Sequence, residues 1–263
     1  MLCFAEASSY FDEPGGGYLY TREAFGSFIG FEVGWMTWLA RIASVASLSN
    51  GLALATAYVW PEAGTETWAR TLIIVGSLGL LTWINVVGVK EGARTAVALV
   101  IAKTVPLVLF VLVGVFFVDW TRAIALGPVD TGNLGEAALL LLFAYAGFEN
   151  APAAAGEYKN PQRDVPFALL TMIAIITLIY TAVQLVAMGT LPGIENTESP
   201  LAEAAALFMG GTGAALMTVG AIISIFGNTA NTTLIGPRYA FALAQDGYGP
   251  AALARVHAEY RTP

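Results

Sequence analysis

LLLLFAYAGFENAPAAAGEYKNP, residues 139–161, begins as an apolar helix and then admits Gly147, Glu149, Asn150 and Pro152 within six positions. The apolar segment that contains it runs over about 134–157. Glu149 therefore lies about 15 residues in, roughly 22 Å along at 1.5 Å per residue. A glutamate side chain is too short to reach water from that depth. Pro152 has no N–H, so the carbonyl of Phe148 is expected to lose its helical partner, while Gly147 weakens the ladder before it. Inside hydrocarbon, free backbone groups are tolerated only when buried in protein or lining a wet cavity. Two readings follow: a kink with Glu149 bonded to a neighbouring helix, or a helix broken at a binding site. The second is favoured.

The composition places this stretch in a membrane. Of 263 residues, 57% are hydrophobic and 12% charged, against about 25% charged in a soluble domain. A spanning helix needs ~20 mostly apolar residues. Six segments have that length, at about 25–50, 68–88, 94–118, 134–157, 165–191 and 212–244, and residues 2–11 read as the end of another. The connections are short and rich in Pro and Gly, the usual punctuation between elements. The fold class is thus an all-α polytopic membrane protein with about six complete transmembrane helices plus the end of one more.

Loop charge orients the spans. Alternate connections hold Arg22, Lys90, Arg94, Lys159, Arg163, Arg238, Arg255 and Arg261; the other set holds only Arg70 and Arg122. The outer set also collects Glu62, Glu66, Asp119, Asp130, Glu195 and Glu198. The positive-inside rule puts the basic loops in the cytoplasm. A net charge of −7 and a pI near 4.7 exclude a nucleic-acid footprint. Cys3 is the single cysteine and His257 the single histidine, so neither a disulfide framework nor a Cys/His metal site is expected. No cofactor motif is present: PGGGY is followed by no GK[ST].

Charges inside spans are the informative residues, since each costs ~2.5–3.5 kcal/mol at a helix centre. Lys103 lies nine residues past Arg94, with Pro106 after it. It either snorkels to the cytoplasm or faces the bundle, where a lysine shielded from water can exchange its proton. Arg41 sits mid-span and stays charged, so it must meet an anion or free carbonyls. Glu32, nine positions earlier on the same helix, faces the opposite side. Glu149 or a substrate carboxylate are the better partners for Arg41. In the last span Ser224, Asn228 and Asn231 or Thr232 recur at i, i+4, i+7/8, a polar stripe that either binds helices together or lines a wet pathway.

Taken together, these stretches resemble a known family. GFENAPAAAGEYKNPQRDVPFALL (147–170) resembles the sixth-helix region of amino acid permeases of the amino acid–polyamine–organocation superfamily. FAEASSYFDEPGGGYLYTREAFG (4–26) is similar to the end of the second helix and its inner loop. NVVGVKEGAR (85–94) is similar to the loop between the fourth and fifth helices, and AQDGYGPAALARVHAEYRTP (244–263) to the loop after the eighth. The resemblance implies a partial inverted-repeat, leucine-transporter-like bundle with a substrate site where the first and sixth helices unwind. It implies that residues 1–263 form a single transmembrane domain truncated at both ends, from the end of the second family helix through the loop after the eighth. The family's glycine-rich first helix has no counterpart here, and this chain alone is expected not to transport.

The resemblance also assigns roles. Ala144, Tyr145, Ala146 and Gly147 match the unwound stretch whose carbonyls hold a substrate amino group, and Phe143 falls where relatives place an aromatic gate. Asn228 and Thr232 fall on the pocket side of the eighth helix. Arg41 is placed in the substrate set by its own chemistry and not by the resemblance, with a structural role equally open. Lys103 and Glu149 match positions tied to proton coupling. The expected function is secondary active transport of amino acids or related amines, proton-coupled, by alternating access in a prokaryotic plasma membrane. The alternative is a non-transporting sensor or accessory subunit with the same fold. An intramembrane enzyme lacks support, since no paired aspartates, Ser/His pair or HExxH occur.

Overall fold

A computed structural model describes residues 1–13, 15–57, 59–87, 89–124, 132–155, 158–197 and 199–257, with the backbone alone at 87, 89–91, 93 and 143. The side chains of Phe143 and Lys90, and all of Asp130, Glu198 and Arg261, lie outside the described residues. The described chain is all helix and turn: α1 (Leu2–Ser8), α2 (Gly17–Phe25), α3 (Ser27–Thr56), α4 (Glu62–Thr65), α5 (Thr67–Val87), α6 (Val89–Gly114), α7 (Trp120–Ala123), α8 (Leu134–Ala144), α9 (Asn150–Ala153), α10 (Pro161–Thr190) and α11 (Pro200–Gln245).

Five of the six apolar segments read from the sequence are helical over most of their described length, and the sixth is broken. Among the described residues four are long and apolar enough to cross a membrane, at Thr67–Val86, Arg94–Phe117, Pro161–Thr190 and Pro200–Gln245. α3 has the length, 30 residues, but Glu32, Arg41 and Asn50 dilute its apolar character. The segment expected at 134–157 is interrupted, as its composition requires. α11 is two helices in line: Gly210, at φ 65° and ψ −159°, breaks it. The second part therefore begins close to the expected 212.

α11 packs along α3 and α6, and α10 bridges α1 and α6. One apolar core lies where α6, α10 and α11 meet, around Phe110, Val186, Ala187, Ala204, Ala205 and Met217. The outward faces stay apolar: Leu139 is 66% exposed and Leu178 71%. A soluble surface would not carry so large an apolar area, and the chain is read as an integral membrane protein.

Two sets of loops separate to opposite ends. Arg22 and Tyr18 of α2 both bond the Asp246 carboxylate, just past α11. Burial, and then the Asp246 carboxylate, push the Tyr18 hydroxyl well above the ordinary phenol range, so it remains a donor. At the other end the Asp119 N–H donates to the Gly189 carbonyl at 3.0 Å, joining the connection after α6 to the end of α10.

α2 lies tightly against α3. A Cβ on Gly30 would stand 2.6 Å from Arg22 Cβ and 2.7 Å from its Cα. Backbone cannot yield there as a flexible side chain could. Gly30→Ala is expected to destabilise the protein by about 1–3 kcal/mol, the usual range for overpacking. Thermal unfolding in detergent, compared with Gly51→Ala at a position with open space around it, checks this.

Candidate functional site at a broken helix

α8 ends at Ala144, turns occupy 145–149, and α9 resumes at Asn150. Gly147 makes the break, with φ at +108°. Side chains other than hydrogen rarely adopt that backbone region. Among the described residues the carbonyls of Tyr145 and Ala146 accept no hydrogen bond of normal geometry. Among the described residues the Ala144 carbonyl receives only a long 3.5 Å bond from the Tyr180 hydroxyl.

One expectation about this stretch is corrected. The Phe148 carbonyl, which Pro152 cannot serve, is not free: the Ala151 N–H donates to it at 3.3 Å. The chain tightens to i→i+3 pairing after the break, which absorbs the missing proline donor. The free acceptors therefore lie before Gly147 and not after it.

Glu149 braces the break. One carboxylate oxygen accepts the Gly147 N–H at 2.8 Å, and the other pairs with Arg41 Nη2 at 2.8 Å. In an unbroken helix that N–H would donate to the carbonyl four residues back; here a carboxylate replaces it. Arg41 Nη1 donates to the Asn150 side-chain oxygen at 3.2 Å. Of the partners open to Arg41, the structure thus selects Glu149. The Arg41 Nε is buried with no hydrogen-bond partner among the described residues, so one guanidinium donor is left over. Glu32, in contrast, is exposed near the start of α3.

Lys103 faces the bundle. Its Nζ donates to Asn228 Oδ1 at 3.1 Å, and no carboxylate lies within ion-pair distance among the described residues. Lys103 and Ser224 share the wall of a cavity of about 580 Å³ between α3, α6 and α11. Thr232, buried, donates its hydroxyl to the Asn228 carbonyl at 2.9 Å. Thr232 and Arg41 line a second cavity, of about 670 Å³, between α3, α5 and α11. Neither cavity is walled by residues 144–147. The structure thus brings Glu149 and Arg41 to the break and pairs Lys103 with Asn228 apart from it.

Two residues at the break were not in the sequence-derived set. Asn150, 5% exposed, reads from the sequence only as a helix-weakening residue. Tyr239 donates its hydroxyl to the Glu149 carbonyl at 3.2 Å. It continues the polar stripe of α11 at i+7 from Thr232, a periodic signal that was available.

A sequence model of the family described as amino acid permease matches residues 1–263. The chain belongs to the amino acid permease family. Among similar proteins, it is 31% identical to the serine/threonine exchanger SteT of Bacillus subtilis, with all of this chain and 61% of that one aligned. It is 28% identical to the methylthioribose transporter and 27% identical to the branched-chain amino acid permease BcaP of the same organism, each aligned over all of this chain and 60% of the relative. This permease chain spans about three fifths of the length of those relatives. The match covers the break, the basic loops and the Lys103–Asn228 pair of the permease alike.

Proposed function

We propose that the protein carrying this chain transports an amino acid or a related amine across a prokaryotic plasma membrane, coupled to protons and working by alternating access. The observation that supports this best is the break at Gly147, which leaves the Tyr145 and Ala146 carbonyls without partners among the described residues. They stand at the C-terminal end of α8, where the helix dipole is negative. Carbonyls and a negative helix end attract an ammonium group, while discontinuous helices of this kind form the substrate sites of secondary transporters. The relatives named for serine/threonine, branched-chain amino acids and methylthioribose agree on small solutes and differ on which one.

The remaining residues divide the work. Phe143 and Ala144 complete the stretch before the break. Arg41, with one donor to spare, and Thr232 share a cavity and are assigned to the substrate. Asn228 holds Lys103, whose neutral partner lets it exchange a proton without breaking an ion pair. Glu149 is the second candidate for coupling; releasing it from Arg41 would unbrace the break. The basic loops face the cytoplasm. Residues 1–263 form one membrane domain within a longer permease, running from the end of the second family helix through the loop after the eighth.

The test is uptake of labelled amino acids and amines into proteoliposomes holding the full-length protein. An inward proton gradient is expected to raise the initial rate several-fold. Lys103→Ala is expected to retain slower uptake that no longer responds to the gradient. Uptake indifferent to both would remove proton coupling; no uptake or exchange of any amine would remove transport itself.

A further inference from the structure

We propose that Tyr239 is a positioning residue: its hydroxyl fixes which carbonyls of the break stay free, and so sets how the site receives an ammonium group. The second clause rests on the transport reading above; the first does not. A broken helix has several orphan carbonyls, and which of them remain available depends on what the protein satisfies. The Tyr239 hydroxyl takes the Glu149 carbonyl at 3.2 Å. The ring is 2% exposed and packs with Ala153 and Ile235, flanked by Trp38 and Ala154.

The opposite side of the same segment is also held. A Cβ on Gly16 would stand 3.1 Å from the Ala153 nitrogen and 3.3 Å from Pro152. The segment 149–153 is therefore wedged between α11 and the loop before α2. With Glu149 bonded through its carbonyl and its carboxylate, the turn has one register. Among the described residues the unsatisfied acceptors fall at Tyr145 and Ala146. Without the hydroxyl, the part-buried Glu149 carbonyl loses its side-chain donor, a loss that backbone rearrangement relieves. The nearest way to rearrange is at Gly147, whose φ/ψ freedom is the greatest in the stretch. Such a shift moves the carbonyls on its other side.

Tyr239→Phe removes the hydroxyl and keeps the ring. Two readouts are made on the full-length protein. The first is the rate at which a small water-soluble thiol reagent labels Ala146→Cys in a Cys3→Ser background, with and without Tyr239→Phe. The second is KM and Vmax for uptake, measured without the introduced cysteine. A change in labelling rate of about fivefold is expected, with KM raised about fivefold and Vmax within twofold. Ile235→Val, which loosens the same buried cluster but keeps the hydroxyl, is expected to leave both readouts unchanged.

Unchanged labelling overturns the proposal, whatever happens to KM. Equal effects from Ile235→Val overturn it too, since packing and not the hydroxyl would then be responsible. Altered labelling in a protein that takes up no amine supports the positioning role and removes the transport reading. Altered labelling with KM unchanged in an active transporter also supports the first clause and removes the second. If Tyr239→Phe does not fold, labelling of Ala146→Cys is measured with 4-fluorophenylalanine at position 239, which keeps the size of the ring and its substituent but cannot donate; an unchanged rate there overturns the proposal.

Discussion

Arg41→Ala is expected to lower stability by about 3–5 kcal/mol, the range seen when one partner of a buried ion pair is removed. The Arg41 and Glu149 side chains are mostly shielded, at 15% and 22% exposed. Without Arg41 the Glu149 carboxylate keeps its bond from the Gly147 N–H but loses its counter-charge, and Asn150 loses a donor. Removing both charges should cost much less, because no charge is left stranded. Arg41→Met with Glu149→Gln is therefore expected to recover more than half of the loss. Thermal unfolding of the four proteins in one detergent measures it. If the double variant is no more stable than Arg41→Ala, the pair is not what stabilises the break.

Gly147→Ala carries the second large effect. Its φ of +108° costs an alanine about 1–3 kcal/mol of backbone strain. Alanine also prefers the helix over glycine by about 1 kcal/mol. Both terms act in one direction, towards closing the helix over the Tyr145 and Ala146 carbonyls. An ammonium ligand would then lose acceptors, and its affinity is expected to fall about tenfold or more, equivalent to ~1.4 kcal/mol. Stability without ligand should change less, since strain relieved by helix closure partly offsets what the break loses. Equilibrium binding of a labelled amino acid, beside the unfolding midpoint of the ligand-free protein, separates the two. Unaltered affinity in a folded Gly147→Ala variant would mean the break does not hold the ligand.

Much of this architecture was legible from local rules. Apolar runs about 20 residues long give the helices, because only a helix satisfies every backbone group within one segment in hydrocarbon. Gly147 and Pro152 gave the break, because one weakens the ladder and the other lacks a donor. Arg41 was legible as a residue in need of an anion, with Glu149 among its candidate partners. Tyr239 was not in the set, although its spacing on α11 pointed to it, since a tyrosine in an apolar helix most often packs as core. The Phe148 carbonyl was misjudged: proline removes one donor, but the sequence does not show that Ala151 turns back to replace it.

The sequence by itself determined the membrane class, the helices, the separation of basic from acidic loops and the place of the break, because each depends on residues close together in the chain. Only the tertiary structure decided the partners. Arg41 and Glu149 are separated by 108 positions, Lys103 and Asn228 by 125, and Tyr239 from Glu149 by 90. A buried polar group must be satisfied by something, but which group does so is set by how helices pack, and packing geometry is not written in any local pattern.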